Sequence, residues 1–214
     1  MAYTYSDWEE RIKDRTDLTS TLTHLTKPRE NIQNLNDDEI NILAVNNLIR
    51  ILKDKEIKGS TTETGYIVGD DTSACFQDAP LNSLIQNIEH EKRRRNQGKQ
   101  RKVRYCGVGL TFRKQFVFNK GGRPVIYEKT KVAEEFLSEN EHWRIVNIDL
   151  SEDNNIIDWT HEREWRVKGS LKFNWGTAHI VLPDKECIDY FKEKCPEHIL
   201  NEIGGISNLK AFQI

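Results

Sequence analysis

No Cys-x-x-Cys pair occurs among the four cysteines, Cys75, Cys106, Cys187 and Cys195, and their spacings suit neither a zinc site nor a disulfide framework. Cys75 and Cys106 lie in apolar, strand-like runs, so all four are expected to be reduced thiols acting as small core residues, and no metal is expected. No apolar run approaches the length of a membrane span. The polar, acidic start from Met1 to Glu10 offers no apolar stretch to direct secretion, so the expectation is a cytoplasmic protein with no membrane partner. An excess of one charge is missing too. Lys and Arg number 32 against 34 Asp and Glu, a formal net charge of -2, so any affinity for nucleic acid has to come from a local patch. Internal repeats, low-complexity tracts and long linkers are also absent. Residues 1–214 therefore read as one domain, long enough to bury a core without covalent staples.

What is present is a mixture of helical and strand periodicities. A polar helical lead-in is expected over Trp8 to Leu18, followed by a strand over Leu18 to Thr26 that carries His24 and ends before Pro28. Asn36-Asp37-Asp38 offers a cap and an acidic first turn. Ile40, Leu43, Leu48, Ile49 and Leu52 then form an apolar stripe at helical spacing, with Gly59 as the stop. A polar loop over Ser60 to Thr72 leads to a short buried strand, Ala74-Cys75-Phe76, and a helix over Leu81 to Glu91. The run Lys92, Arg93, Arg94, Arg95, Lys99, Arg101, Lys102 and Arg104 contains no acidic residue and reads as a solvated loop. It is a candidate for phosphate contact and, equally, an ordinary soluble surface. Beyond it the chain is mostly β: Tyr105–Phe112, Phe116–Phe118, Val125–Tyr127, Trp143–Leu150, Glu162–Lys168 and His179–Leu182. Helices are expected at Lys131–Ser138, Lys185–Cys195 and Glu197–Ile203. Gly107 and Gly109 lack the strand-turn-helix setting of a dinucleotide fingerprint and read as places of close backbone packing.

The segment Thr160 to Lys168 carries the densest chemistry. As a strand it directs Glu162, Glu164 and Arg166 to one face and Arg163, Trp165 and Val167 to the other. Two carboxylates beside a guanidinium suit the binding of a polyol or the stabilisation of a cation. The plainer alternative is an exposed face whose charges pair across the ladder. Trp143, Trp159 and Trp165 nearby favour a partly buried cleft. His24 is a second candidate, for a ribose hydroxyl or a phosphate, or else a satisfied core histidine.

Leu-Thr-His-Leu-Thr-Lys (22–27), the helix ending at Gly59, Ala-Cys-Phe-Gln-Asp-Ala-Pro-Leu (74–81), Tyr-Cys-Gly-Val-Gly-Leu-Thr-Phe-Arg-Lys (105–114), Gly-Arg-Pro-Val-Ile-Tyr (122–127) and Glu-Arg-Glu-Trp-Arg (162–166) occur in that order. In this the chain resembles the AbiGi-type abortive-infection proteins of bacterial phage defence. That group is similar in turn to the DarT-type ADP-ribosyltransferase toxins. The resemblance implies an α+β, ADP-ribosyltransferase-like fold with a split, mostly antiparallel sheet and flanking helices. It implies NAD as substrate and transfer of ADP-ribose to RNA, DNA or protein, nucleic acid being favoured by the 92–104 run. NAD hydrolysis and a non-catalytic sensor are the alternatives, and an antitoxin or chaperone is an implied partner. Carried over, Glu164 is the catalytic glutamate that holds the nicotinamide-ribose 2′-hydroxyl, and Glu162 positions or deprotonates the acceptor. His24 and Thr26 bind NAD, Phe76 or Tyr127 stacks on nicotinamide, and Arg166 or Arg123 stands in for an NAD-binding arginine. Arg93, Arg94, Arg95, Lys99, Arg101 and Lys102 contact the nucleic acid. Glu162 departs from the pattern, because the DNA-modifying toxins have Gln there.

Overall fold

The computed structural model of the protein describes residues 2–30, 32–98 and 102–212. In chain order the elements are α1 (Tyr5–Lys13), β1 (Thr21–Leu25), α2 (Asp37–Asp54), β2 (Glu56–Ile57), α3 (Thr62–Gly65), β3 (Ser73–Gln77) and α4 (Leu81–Asn96). Then follow β4 (Gly109–Arg113), α5 (Lys114–Asn119), β5 (Arg123–Pro124), β6 (Ile126–Glu128), α6 (Thr130–Phe136), β7 (Ile145–Asn147) and β8 (Glu164–Lys168). The chain closes through β9 (Leu171–Lys172), β10 (His179–Leu182), α7 (Lys185–Lys194), α8 (Glu197–Leu200) and β11 (Ile206–Asn208).

α2 begins where its cap predicts. The Asn36 side chain accepts from the Glu39 amide at 2.9 Å, and the Glu39 carboxylate accepts from the Asn36 amide at 2.8 Å, so two otherwise orphaned donors are satisfied. The helix ends at Asp54 with Lys55 in the left-handed region, short of the expected stop, because the next two residues pair with β9. Gly59 has another task. A Cβ there would lie 2.1 Å from the Gly169 carbonyl oxygen, so the residue permits two backbones to touch.

Seven strands form the main sheet in the order β11-β10-β4-β1-β3-β8-β5, antiparallel throughout except for β10 with β11. β1 pairs with β4 through five registered residues, and β3 with β8 through five, but β1 and β3 share a single pair, Thr23 opposite Gln77. The sheet is thus divided into a four-strand and a three-strand half. Cross-strand partners point to the same side. Leu22, Phe76, Leu110, Phe112, Val167 and Ile180 therefore share one face, in the large core with Leu48 and Leu52 of α2 and Phe191 of α7. Thr23, Gln77 and Glu164 line the other face, where Leu25 and Val181 pack against Ile85 and Ile88 of α4. A two-stranded ladder of β6 and β7 stands beside β8.

Three expectations are corrected. Phe116–Phe118 is helical, within α5: Phe116 stacks back on Phe112 with ring centroids 5.6 Å apart and Val117 is buried, a pattern a short apolar string cannot distinguish from a strand. Trp143 lies in a 3-10 turn over Glu139–Arg144, and the strand there is only Ile145–Asn147. Finally, α4 runs on through Arg93, Arg94 and Arg95 to Asn96. Arg and Lys are good helix formers, and their charges complement the carbonyl end of the helix before Gly98, in the left-handed region, ends the turn.

Gly109 shows why a glycine sits inside a strand. A Cβ there would lie 2.3 Å from the carbonyl oxygen of His24 on the neighbouring strand. Gly109→Ala is therefore expected to push β4 from β1 and to cost about 3 kcal/mol in urea unfolding, the upper end of overpacking penalties.

Candidate functional site

Glu164 opens β8 and is nearly buried, at 8 % exposure, with Arg166 at 3 % two residues on and on the same face. The guanidinium grips the carboxylate in a fork, Nε to Oε1 at 2.8 Å and Nη2 to Oε2 at 3.1 Å. Its Nη1 donates to the carbonyls of Trp143 at 2.8 Å and Ile145 at 3.1 Å, which ties the β6–β7 ladder to the main sheet. The Glu164 amide donates to the Tyr127 hydroxyl at 2.8 Å, and burial lifts that phenol to a pKa of about 12.

Glu162 is not on the strand. It ends a 3-10 turn over Thr160–Glu162, and Arg163, with φ 45°, swings the chain through the left-handed region into β8. The turn nevertheless returns the half-buried Glu162 side chain to the neighbourhood of Glu164. Burial, then the negative charge of Glu164, pushes the Glu162 carboxyl up to about 8, against a weaker opposing pull from Arg104. Around it stand groups that sequence reasoning missed. Gln77, directly across the ladder from Glu164, accepts from Asn87 Nδ2 at 3.2 Å. The Arg104 guanidinium lies 3.9 Å over the Trp159 ring and 3.8 Å from the buried carboxylate of Glu91. The Tyr105 hydroxyl is buried beside Gln77, close enough to Glu162 to feel its charge, and burial raises its pKa strongly. The signals in the sequence were Trp159 as a cleft aromatic, Arg104 in the basic run, Gln77 beside one strand-like run and Tyr105 at the start of another, and no run says which strand lies next to it.

The remaining expected site residues lie elsewhere. His24 is opposite Phe76, with ring centroids 5.8 Å apart, and so projects from the sheet face opposite to Glu164. Its Nδ1 donates to the Cys75 carbonyl at 2.8 Å across the opening between β1 and β3, and burial lowers its pKa. Thr26 is buried and accepts from Asn47 Nδ2 at 2.7 Å, and Phe76 is fully enclosed in the core. These three do not share a pocket with Glu162 and Glu164. The reason is the period of two along a strand, combined with a register set by residues far away in sequence. Glu162, Glu164, Tyr127 and Arg166 are brought together.

All four cysteines are free thiols, three buried and Cys75 half-buried beside Glu164, where burial pushes the thiol well up and makes it a poor nucleophile. Of the basic run, Arg95 pairs with Asp37, while Arg93 and Arg94 are exposed on α4 and Lys102 is exposed beyond it. Lys99 and Arg101 lie outside the described residues. Arg123, on β5, donates to the carbonyls of Phe118 and Gly122. Among the described residues no group of three or more His, Cys, Asp or Glu could hold a metal ion, and no helix is long and apolar enough to cross a membrane.

A fork that satisfies a carboxylate and two carbonyls at once cannot be copied by an ammonium. Arg166→Lys is expected to destabilise the fold by about 3 kcal/mol and to speed amide exchange at 143–147 more than elsewhere. Glu162 gives a pH signature. Between its ordinary value near 4.5 and about 8, the unfolded chain has released the proton that the folded chain keeps, so folding stability falls as pH rises, by about 1.4 kcal/mol per unit. Glu162→Gln removes this term. Urea unfolding at pH 5.5 and 7.5 is expected to show the variant gaining on the parent by about 1–3 kcal/mol over that interval.

No family model matches the chain, and no curated protein or solved structure is similar to it.

Proposed function

We propose that the chain is an NAD-dependent ADP-ribosyltransferase of the phage-defence kind, acting through Glu162 and Glu164 on a macromolecular acceptor. The observation that carries this reading is a proton-retaining Glu162 held beside an arginine-fixed Glu164, with the buried Tyr105 hydroxyl within reach of the Glu162 charge. A carboxyl whose titration is displaced by burial and a neighbouring charge is usual equipment for acid–base work. The division of the sheet between β1 and β3 agrees with the split sheet that the resemblance implies. The NAD contacts are revised: Tyr127 is kept, and Gln77 and Tyr105 replace His24, Thr26 and Phe76, which belong to the other face.

The residue roles follow from the bond that breaks. The glycosidic bond to nicotinamide parts with its electron pair on the ring nitrogen, and the leaving group departs uncharged, so no side chain need protonate it. Glu164, immobilised by Arg166, faces the cationic character that develops at the anomeric carbon. The acceptor oxygen or nitrogen bonds that carbon, and its proton passes to Glu162. A base that titrates near 8 is matched to such a transfer near neutral pH.

Labelled NAD incubated with the pure chain and separated RNA, DNA and protein fractions tests the reading. Label on a macromolecule is expected, at a rate that rises with pH through about 8 as Glu162 ionises. Glu162→Gln is expected to lower that rate by roughly a hundredfold or more and to abolish the rise. Free ADP-ribose alone points to hydrolysis, and NAD left intact by every fraction overturns the enzymatic reading in favour of a binding domain.

A further inference from the structure

A groove of about 510 Å³ runs between α1 and α5, on the face of β8 opposite to Glu164, and aromatic rings form most of it: Tyr3, Tyr5, Trp8, Phe118 and Trp165. Three of these rings are open to solvent, with Tyr3 52 %, Tyr5 44 % and Phe118 48 % exposed. α1 has no buried residue, so its rings are not there to build a core. A contiguous set of exposed rings is a feature of binding surfaces rather than of ordinary solvated ones.

The charges around the rings are mainly positive. The Arg123 guanidinium lies 4.2 Å over Phe118, that of Arg11 5.5 Å over Tyr3, and the Lys114 ammonium 5.9 Å over Trp165. Arg113 and Lys120, at the two ends of α5, are exposed. No carboxylate lines the groove. Three acids on the neighbouring elements are engaged: Asp78 with Lys114 and the Trp165 indole, Glu9 with the Tyr5 hydroxyl, and Asp7 with the Thr4 amide at the start of α1.

We propose that this groove binds single-stranded nucleic acid, its bases stacking on Tyr3, Tyr5 and Phe118 while Arg11, Arg113 and Lys120 meet the phosphates. Rings and cations together select this partner. A proline-rich peptide would use the rings and leave the cations without a purpose, and a duplex hides the base faces that the rings would take. The site is independent of Glu162 and of NAD.

The test is fluorescence anisotropy of the full chain with a labelled oligothymidylate of roughly twelve nucleotides, as single strand and as duplex, without NAD. The single strand is expected to bind at least tenfold more tightly than the duplex. Tyr3→Ala with Phe118→Ala, two exposed positions whose loss leaves the circular dichroism unchanged, is expected to weaken binding tenfold or more. Lys172→Ser with Lys192→Ser, exposed positions that line no part of the groove, is expected to leave the affinity within about twofold. The proposal is overturned by an oligonucleotide that does not bind, by duplex preference, by undiminished binding in the ring variant, or by the lysine variant alone losing affinity.

Discussion

Arg166 is the group on which the neighbourhood of the site depends. A guanidinium this deeply enclosed persists only if its donors are met, and here they meet a carboxylate on one side and two main-chain carbonyls on the other. Three consequences follow from that satisfaction. The β6–β7 ladder, which has no hydrogen-bonded edge in the main sheet, is fastened to β8. Glu164 loses its freedom of rotation. A fixed negative charge is then present where the turn before β8 folds back, and this, together with burial, is why Glu162 keeps its proton.

The two faces of the sheet divide the remaining work. On the face with Thr23, Gln77 and Glu164, polar residues are retained under α4 and bonded to one another, as Gln77 is to Asn87. On the other, His24, Phe76 and Trp165 lie in a row across three strands, from the core outward to the aromatic groove at the sheet's edge. Trp165 and Glu164 are neighbours in sequence yet belong to separate surfaces, because successive residues of a strand point opposite ways. The same rule separates His24 from the acidic pair, although both stand on the halves that meet at Thr23 and Gln77.

Local signals carried much of this into the sequence. The cap and acidic first turn at Asn36-Asp37-Asp38 mark the start of α2, the apolar run His179–Leu182 coincides with β10, and Gly109 was recognisable as a point of backbone contact. Alternation also placed Glu164 and Arg166 on one face. What stayed hidden depended on distant partners. Arg163 in the left-handed region removes Glu162 from the strand, and nothing in Glu-Arg-Glu-Trp-Arg marks that arginine as a turn residue. The face of His24 follows from the register of β1 against β3, which no single segment contains. Phe116–Phe118 had too few residues for its period to declare itself.

The two acids of the site differ in what they are able to do. Both oxygens of Glu164 already accept from a guanidinium that is itself anchored to the main chain, so that carboxylate is held in one orientation as an acceptor. Glu162 is held by no such fork. Its residue is half-buried, burial and the charge of Glu164 make the carboxyl retain its proton at neutral pH, and Arg104 and Tyr105 are near enough to respond when it ionises. Moving a proton requires a group whose two states lie close in free energy, and burial beside a fixed negative charge brings an ordinary carboxyl to that balance. The chemistry is therefore expected at the turn rather than on the strand, with the strand supplying the field in which the turn residue titrates.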